Sequence, residues 1–127
     1  MAKSKVLIID DEKLTRTMLT DLLRGKGYTV ITAEGGPSGL AAAQKEKPNA
    51  IILDVMMPGM DGFEVCQALK KDVATTIIPV IILTASEDPH LTQKAFKAGA
   101  AFTLVKTSKP EQLLSTLHLA LSLARPT

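Results

Sequence analysis

Polar side chains of three chemical kinds stand at the ends of apolar runs in this sequence. They are Asp10, Asp11, Asp54, Thr84 and Lys106. Short apolar runs bounded by turn residues are typical of strands that are buried on both faces. In parallel sheets the carboxyl ends of the strands share one edge, and ligands bind there. We therefore expect three carboxylates, a hydroxyl and an ammonium group to lie close together.

Such a cluster has the groups that phosphoryl transfer requires. Carboxylates that share a site repel one another unless a cation lies among them. Mg²⁺ suits this position, because it prefers one or two carboxylates together with phosphate oxygens. The hydroxyl of Thr84 and the ammonium of Lys106 supply a donor and a positive charge for a phosphoryl group. Asp54 can then attack phosphorus as a nucleophile and form an aspartyl phosphate, which makes it the predicted phosphoacceptor.

Each of these residues also has an ordinary structural interpretation. Asp54 alone could be a structural acid at a strand end, and Asp10 and Asp11 could cap the following helix. Thr84 alone could be a common strand-end hydroxyl, and Lys106 a solvated strand end. Taken together, polar residues at four strand ends on one edge of the sheet are hard to assign to chance, which favours a functional site over these separate explanations.

Strands and helices alternate along the whole chain. The apolar runs predict strands near residues 6–9, 28–33, 50–54, 80–85 and 101–106. Residues between them follow helical spacing, with helices expected from 14 to the stop at 25–27, 39–47, 63–71, 86–99 and from 108 onward. Such alternation predicts an α/β fold with a parallel sheet covered on both faces. Right-handed crossovers place the helices in two layers.

Three local signals refine the helices. Ser86 is a predicted N-cap for the fourth helix. Ser108 and Glu111 have the spacing of a capping box for the fifth. In the first helix, Leu14 and Met18 join three further leucines in the face expected to pack on the sheet.

Composition excludes several classes of protein. The 127 residues fit one domain, residues 1–127, with a core that needs no disulfide or structural metal. Apolar residues make up 46% and charged residues 22%, so the chain is not disordered. The net charge of +2 comes with scattered basic residues, which disfavours direct nucleic-acid binding. Cys66 is the single cysteine, and no signal-peptide or membrane-spanning run is present, so we expect a cytoplasmic protein without membrane contact.

Four segments of the chain, in order, resemble the receiver domain of two-component response regulators. They are residues 8–12 (IIDDE), 53–62 (LDVMMPGMDG), 82–85 (ILTA) and 98–100 (AGA) ahead of Lys106. The resemblance covers nearly the whole chain. It implies a flavodoxin-like (βα)5 fold, doubly wound, with a five-stranded parallel sheet in the order 2-1-3-4-5.

The resemblance also implies a role for each residue of the cluster. Asp54 matches the phosphoacceptor, Thr84 the hydroxyl that turns toward the phosphoryl group, and Lys106 the lysine of the family. The implied Mg²⁺ ligands are Asp10, Asp11, Asp54 and the backbone carbonyl of Met56, with Asp11 a direct ligand.

The partners follow from the same resemblance. A histidine kinase or a histidine phosphotransfer protein is the expected phosphodonor, and a protein of unknown identity is the expected output partner. A phosphorylation-dependent dimer is compatible with this scheme.

The chain is expected to catalyse only its own phosphotransfer and slow autodephosphorylation. Phosphohydrolases with an Asp nucleophile carry a second Asp two residues later, where this chain has Met56, and a flavodoxin would have a Ser/Thr/Gly-rich loop after the first strand.

Two positions depart from the family pattern. Thr107 follows Lys106 where receivers usually have proline, often in a cis peptide, so we expect a trans peptide here. Thr103 stands at the aromatic switch position, with Phe102 beside it on the opposite face of the strand. These departures leave one alternative open, a degenerate receiver that acts as a phosphorylation-independent docking module.

Overall fold

The computed structural model describes residues 4–57 and 59–124, in which strands and helices alternate. The elements are β1 Lys5–Ile9, α1 Lys13–Gly25, β2 Thr29–Ala33, α2 Gly36–Glu46, β3 Ala50–Asp54, α3 Gly62–Lys71, β4 Val80–Thr84, α4 Pro89–Lys97, β5 Phe102–Val105 and α5 Pro110–Ala124. The strands are all parallel and lie in the order β2-β1-β3-β4-β5. The predicted flavodoxin-like topology is therefore confirmed.

Two hydrophobic layers cover the sheet because successive side chains of a strand point to opposite faces. One layer packs Leu7 and Ile51 against apolar residues of α2, α3 and α4, among them the buried thiol of Cys66. The other packs Ile8 and Ile52 against α1 and α5. These layers explain why the central strands are apolar at every position up to their polar carboxyl ends.

Burial differs between the centre and the edges of the sheet. Every residue of β3 and β4 is buried, whereas every residue of the edge strand β5 is only half-buried. Polar groups at the ends of the central strands are therefore enclosed, and a group on β5 stays close to solvent.

The first residues of α2, α4 and α5 differ from the predictions because a proline occupies the first or second position of each helix. Asp88, and not Ser86, is the N-cap of α4, and its Oδ1 accepts from the N–H of His90 at 2.9 Å. The α2 helix begins at Gly36, three residues before the predicted start, with Pro37 in its first turn. Proline at the first helical positions has a φ that suits the helix and lacks only an N–H that would be unpaired there.

The capping box predicted from Ser108 and Glu111 does not form, and only one of its two hydrogen bonds has an equivalent, one residue later. Pro110 is the first residue of α5, and the side chain of Gln112 accepts from the N–H of Lys109 at 3.0 Å. The same proline preference for the first helical position accounts for the shift.

The packed face of α1 is narrower than its apolar sequence suggested. Leu23 is fully buried and Leu19 packs on the core, but Leu14 and Met18 are exposed. With about 100° of rotation per residue, Leu14 lies about 140° around the axis from Leu19 and opposite Leu23. The prediction that Leu14 and Met18 pack on the sheet was therefore wrong.

The chain after β3 folds tightly back onto the start of α3. The N–H of Gly62 donates to the carbonyl of Val55 at 3.0 Å, and Asp61 caps α3 by accepting from the N–H of Glu64 at 2.9 Å. A Cβ on Gly62 would lie 2.7 Å from the Cα of Val55 and would also collide with the carbonyl oxygen of Asp54. Glycine at this position therefore sets the path of the loop that leaves Asp54.

Gly62→Ala is expected to lower the free energy of unfolding by about 1–3 kcal/mol, because the new methyl group meets backbone atoms that cannot give way easily. Urea denaturation measures the change. Gly25→Ala is the matched control, because a Cβ on Gly25 meets nothing within 4 Å. Equal stability of the two variants would show that the loop can move away from position 62.

Candidate metal and phosphoacceptor site

Three carboxylates converge at the carboxyl edge of the sheet. One oxygen each from Asp10, Asp11 and Asp54 lies within 4.8 Å of the other two. Asp10 and Asp54 are 1% and 2% exposed, while Asp11 is exposed. The adjacency of β1 and β3 produces this arrangement, because Ile9, the last residue of β1, is paired with Leu53, the residue before Asp54. The cluster thus combines two enclosed acids with one at the rim.

Lys106 reaches the cluster from the end of β5. Its Nζ lies 3.3 Å from Asp54 Oδ2, 3.5 Å from Asp10 Oδ2 and 3.5 Å from Glu12 Oε1. Partial burial lowers the pKa of Lys106, but the negative charges of Asp54, Asp10 and Glu12 outweigh that effect, so its pKa stands above the usual value. Lys106 is therefore charged at neutral pH and forms ion pairs with three carboxylates.

Asp10 is held at three of its four hydrogen-bonding groups. Its N–H donates to the carbonyl of Ala33 at 3.1 Å, its carbonyl accepts from Arg16 at 2.8 Å, and Oδ1 accepts from the N–H of Glu12 at 2.9 Å. Oδ2 is buried and has no hydrogen-bond partner among the residues that the structure describes. A buried acceptor without a partner is costly, and an oxygen so placed is fit to bind a cation.

The carboxyl group of Asp54 is destabilised in its charged form. Burial and, after it, the charge of Asp10 raise the pKa of Asp54. Lys106 and the N–H of Met56, which lies 3.4 Å from Asp54 Oδ1, oppose the shift without cancelling it. The folded protein thus holds a carboxylate that additional positive charge would stabilise.

The other two predicted site residues lie beside the cluster. Thr84 is buried at the end of β4, and its hydroxyl donates to the carbonyl of Ser86 at 2.7 Å. Met56 follows Asp54 on the loop, with its side chain exposed. Thr84 is therefore on the strand next to Asp54, but its hydroxyl is bonded to the β4–α4 loop.

The two departures from the family pattern have visible consequences. The peptide bonds of the described residues are all trans, as expected for the Lys106–Thr107 bond. Phe102 packs partly buried against the α1 and α5 layer, whereas Thr103 lines a small cavity of about 190 Å³. The other polar residues around this cavity are Thr84, Ser86, Glu87, Thr92, Ser108 and Gln112.

Two residues of the site were not singled out from the sequence. Glu12 accepts from the hydroxyl of Thr15 at 2.6 Å and pairs with Lys106; the Thr15 bond, followed by the charge of Lys106, lowers the pKa of Glu12. Arg16 bonds the backbone of Asp10. Glu12 could have been found as the acid following the two aspartates, but only the path of α1 reveals the contact of Arg16.

Asp54→Asn is expected to raise the urea midpoint at pH 7 in EDTA, because it removes a charge that folding disfavours. A raised pKa means that the folded state binds more protons, so wild-type stability falls as pH rises from the ordinary value of 3.8 through the raised folded value. The advantage of Asp54→Asn should therefore disappear toward about pH 4. Asp21→Asn, at an exposed position on α1, is the control and should change stability by less than about 0.5 kcal/mol. A lower midpoint for Asp54→Asn at pH 7 would contradict this electrostatic account.

Comparison with known proteins assigns the family. The sequence model of the response regulator receiver domain matches residues 6–118. PilH of Pseudomonas aeruginosa is 37% identical over 119 residues, which are 94% of this chain and 98% of PilH. The probable transcriptional regulator ycf27 of Porphyridium aerugineum is 38% identical, and the match spans 95% of this chain but only 49% of that relative.

Solved structures agree with the sequence relatives. The chemotaxis protein CheY4 of Vibrio cholerae has a TM-score of 0.89 and 39% identity, with 94% of this chain and 99% of CheY4 covered. The receiver domain of a histidine kinase from Syntrophus aciditrophicus has a TM-score of 0.89 and 31% identity, with 98% of this chain and 94% of that chain covered. Within the described residues, no helix is both long and apolar enough to cross a membrane.

The match to the family model and the sequence relatives together show that the chain belongs to the family of response regulator receiver domains.

Proposed function

We propose that this receiver accepts a phosphoryl group on Asp54, with Mg²⁺, from a histidine kinase or a histidine phosphotransfer protein. The supporting observation is the buried oxygen of Asp10 that lacks a hydrogen-bond partner, 3.5 Å from Lys106 and beside a destabilised Asp54. The three carboxylates carry more negative charge than Lys106, which also pairs with Glu12, can balance, and a divalent cation would compensate the excess. The residues present therefore fit the ion that the family implies.

The ligands available to Mg²⁺ are oxygen atoms, which this ion prefers. Asp10, Asp11 and Asp54 would supply carboxylate oxygens, and Met56 would supply its backbone carbonyl from the loop after β3. When bound, Mg²⁺ adds positive charge beside the nucleophile and the phosphoryl oxygens. Asp11, at the rim, also leaves the ion open to water and to an incoming phosphate.

The transfer step uses the charged form of Asp54. An oxygen of Asp54 attacks phosphorus, the phosphorus–nitrogen bond of the donor phosphohistidine breaks, and the electron pair stays on the imidazole nitrogen, which then takes a proton from solvent. Lys106 Nζ, now 3.3 Å from Asp54 Oδ2, balances the charge of the phosphoryl oxygens. Met56 offers no acid or base two residues after Asp54, which is consistent with slow loss of the phosphoryl group.

Phosphorylation would then change the surface around β4 and β5. The hydroxyl of Thr84 would leave the carbonyl of Ser86, to which it now donates at 2.7 Å, and bond a phosphoryl oxygen. That exchange releases the β4–α4 loop, and a second loop position then becomes favoured. Thr103 lines the adjoining cavity together with Thr84. It occupies the position of the aromatic switch residue of the family. In this proposal the movement of the Thr84 hydroxyl is therefore passed to β5 through small polar side chains and not through a rotating aromatic ring.

Output in this proposal is by contact with another protein or with a second copy of the chain. The match spans nearly all of PilH and of the chemotaxis protein CheY4, which supports signalling of this kind. The reducing cytoplasm suits the single thiol of Cys66. A docking module without phosphorylation is not favoured, because such a role gives no reason to keep a destabilised carboxylate at position 54.

Incubation of the protein with acetyl phosphate and Mg²⁺ is expected to add the mass of one phosphoryl group at Asp54. Asp54→Asn should reduce labelling to background, because amide oxygen is a poor nucleophile, and EDTA should do the same to the wild type. Intact-protein mass spectrometry at acidic pH measures the added mass.

Asp61→Asn is the matched control for this labelling. Asp61 caps α3 on the same loop, and asparagine is an equally good N-cap, so labelling should equal that of the wild type. Wild-type labelling of Asp54→Asn would show that the nucleophile lies elsewhere and would refute the proposal.

A further inference from the structure

The side chain of Arg16 is mostly buried although it belongs to a surface helix. The Arg16 side chain is only 13% exposed. Its Nη1 donates to the carbonyl oxygen of Asp10 at 2.8 Å, and Nη2 lies 3.4 Å from Glu34 Oε1. A hydrogen bond from a charged donor to a shielded carbonyl is among the stronger ones in proteins. The contact with Asp10, and not the one with Glu34, is therefore the one that can fix the position of the Asp10 backbone.

The Arg16 bond acts on the peptide group that joins Asp10 to Asp11. Because a peptide unit is planar, fixing the Asp10 carbonyl also fixes where Asp11 leaves the strand end. The N–H of Asp10 is already bonded to β2, and its Oδ1 to the N–H of Glu12. With Arg16 in place, the backbone of Asp10 is held at both its N–H and its carbonyl, and among the hydrogen-bonding groups of Asp10 only Oδ2 has no hydrogen-bond partner among the described residues.

We propose that Arg16 is a positioning residue for the cation site: by bonding the Asp10 carbonyl, it holds the carboxylates of Asp10 and Asp11 in the arrangement that binds a divalent cation. This inference rests on the proposed function, since it assumes that the acid cluster is the cation site. Arg16 itself touches neither the cation nor the phosphoryl group in this scheme.

The charge of Arg16 and its geometry have opposite effects on cation binding. A guanidinium near the acids repels a divalent cation, so removal of its charge alone would tighten binding. Loss of the bond to Asp10 would instead leave the two acids less well placed and weaken binding. The sign of the change therefore separates positioning from simple electrostatics, and a purely structural role would leave the affinity of the folded protein unchanged.

The contact with Glu34 provides an internal control. Glu34 is 82% exposed, and such surface ion pairs contribute little. Glu34→Gln removes that pairing while it leaves the bond from Arg16 to Asp10 intact. A change seen in Arg16 variants and absent from Glu34→Gln belongs to the Asp10 contact.

The test measures binding of Mn²⁺, which takes the same oxygen ligands as Mg²⁺, by electron paramagnetic resonance without a phosphodonor. Mutation of an outer partner of a metal ligand typically weakens affinity about 10–100-fold, and we expect Arg16→Met to raise the Kd for Mn²⁺ by at least about tenfold. Arg16→Lys, which can offer a single donor, should give an intermediate Kd, and Glu34→Gln should stay within about twofold of the wild type. Circular dichroism confirms folding of each variant.

Binding by Arg16→Met and Arg16→Lys at wild-type strength or tighter would overturn the positioning role. Arg16→Lys keeps the charge and the long stem, so the inference can be refuted even where Arg16→Met does not fold. Asp11→Ala is the reference for the site itself, with weakened Mn²⁺ binding expected. If the wild type binds no Mn²⁺, or if Asp11→Ala binds as the wild type does, the assumed cation site is wrong; if both behave as expected and only the Arg16 variants do not, the positioning role alone is wrong.

Discussion

The repulsion between buried carboxylates at one edge of the sheet governs the rest of this structure. Asp10 directly follows β1, Asp54 is the last residue of the neighbouring β3, and both are almost wholly enclosed. Neighbouring strands lie about 4.8 Å apart, so these two charges cannot separate without breaking the β1–β3 pairing. Lys106 relieves part of the repulsion but is shared with Glu12 at the rim. The fold therefore holds an excess of negative charge that binding of a cation would compensate.

The order of the strands decides which groups can meet. Lys106 follows β5, two strands away from β3, or about 10 Å at the usual spacing. Only a long side chain can cross the end of β4 and reach Asp54. Thr84 and the exposed Ala85 at that end are small enough to leave the path open. The contact between Lys106 and Asp54 thus requires both a long side chain after β5 and small side chains at the end of β4.

Sequence patterns predicted the features that depend on the sheet. The apolar runs of β1, β3 and β4 indicated buried parallel strands, and parallel strands bring their carboxyl ends together whatever the details of packing. The convergence of Asp10, Asp54 and Lys106 followed from that rule. Burial of Cys66 could be expected from the helical spacing of apolar residues, because Cys66 falls on the packed face of α3. Burial raises the pKa of the Cys66 thiol to about 11.

The sequence did not predict features that depend on which of two neighbouring residues caps a helix or on which rotamer a side chain adopts. Ser86 and Asp88 are both good N-caps, and Pro89 decided between them. Leu14 satisfied the helical pattern of α1 yet faces away from the sheet. The hydroxyl of Thr84 could reach either toward Asp54 or toward Ser86, and a sequence does not specify the rotamer. Arg16 escaped notice because its partner is a backbone carbonyl, which carries no sequence signal.

A crystal structure of the protein with Mg²⁺ and beryllofluoride tests the central claim most directly. The account predicts beryllofluoride on Asp54, the cation against Asp10 and Asp11, Lys106 in contact with fluoride, and the Thr84 hydroxyl turned away from the carbonyl of Ser86. A crystal grown under these conditions with no beryllofluoride at Asp54 and no ion among the acids would contradict it.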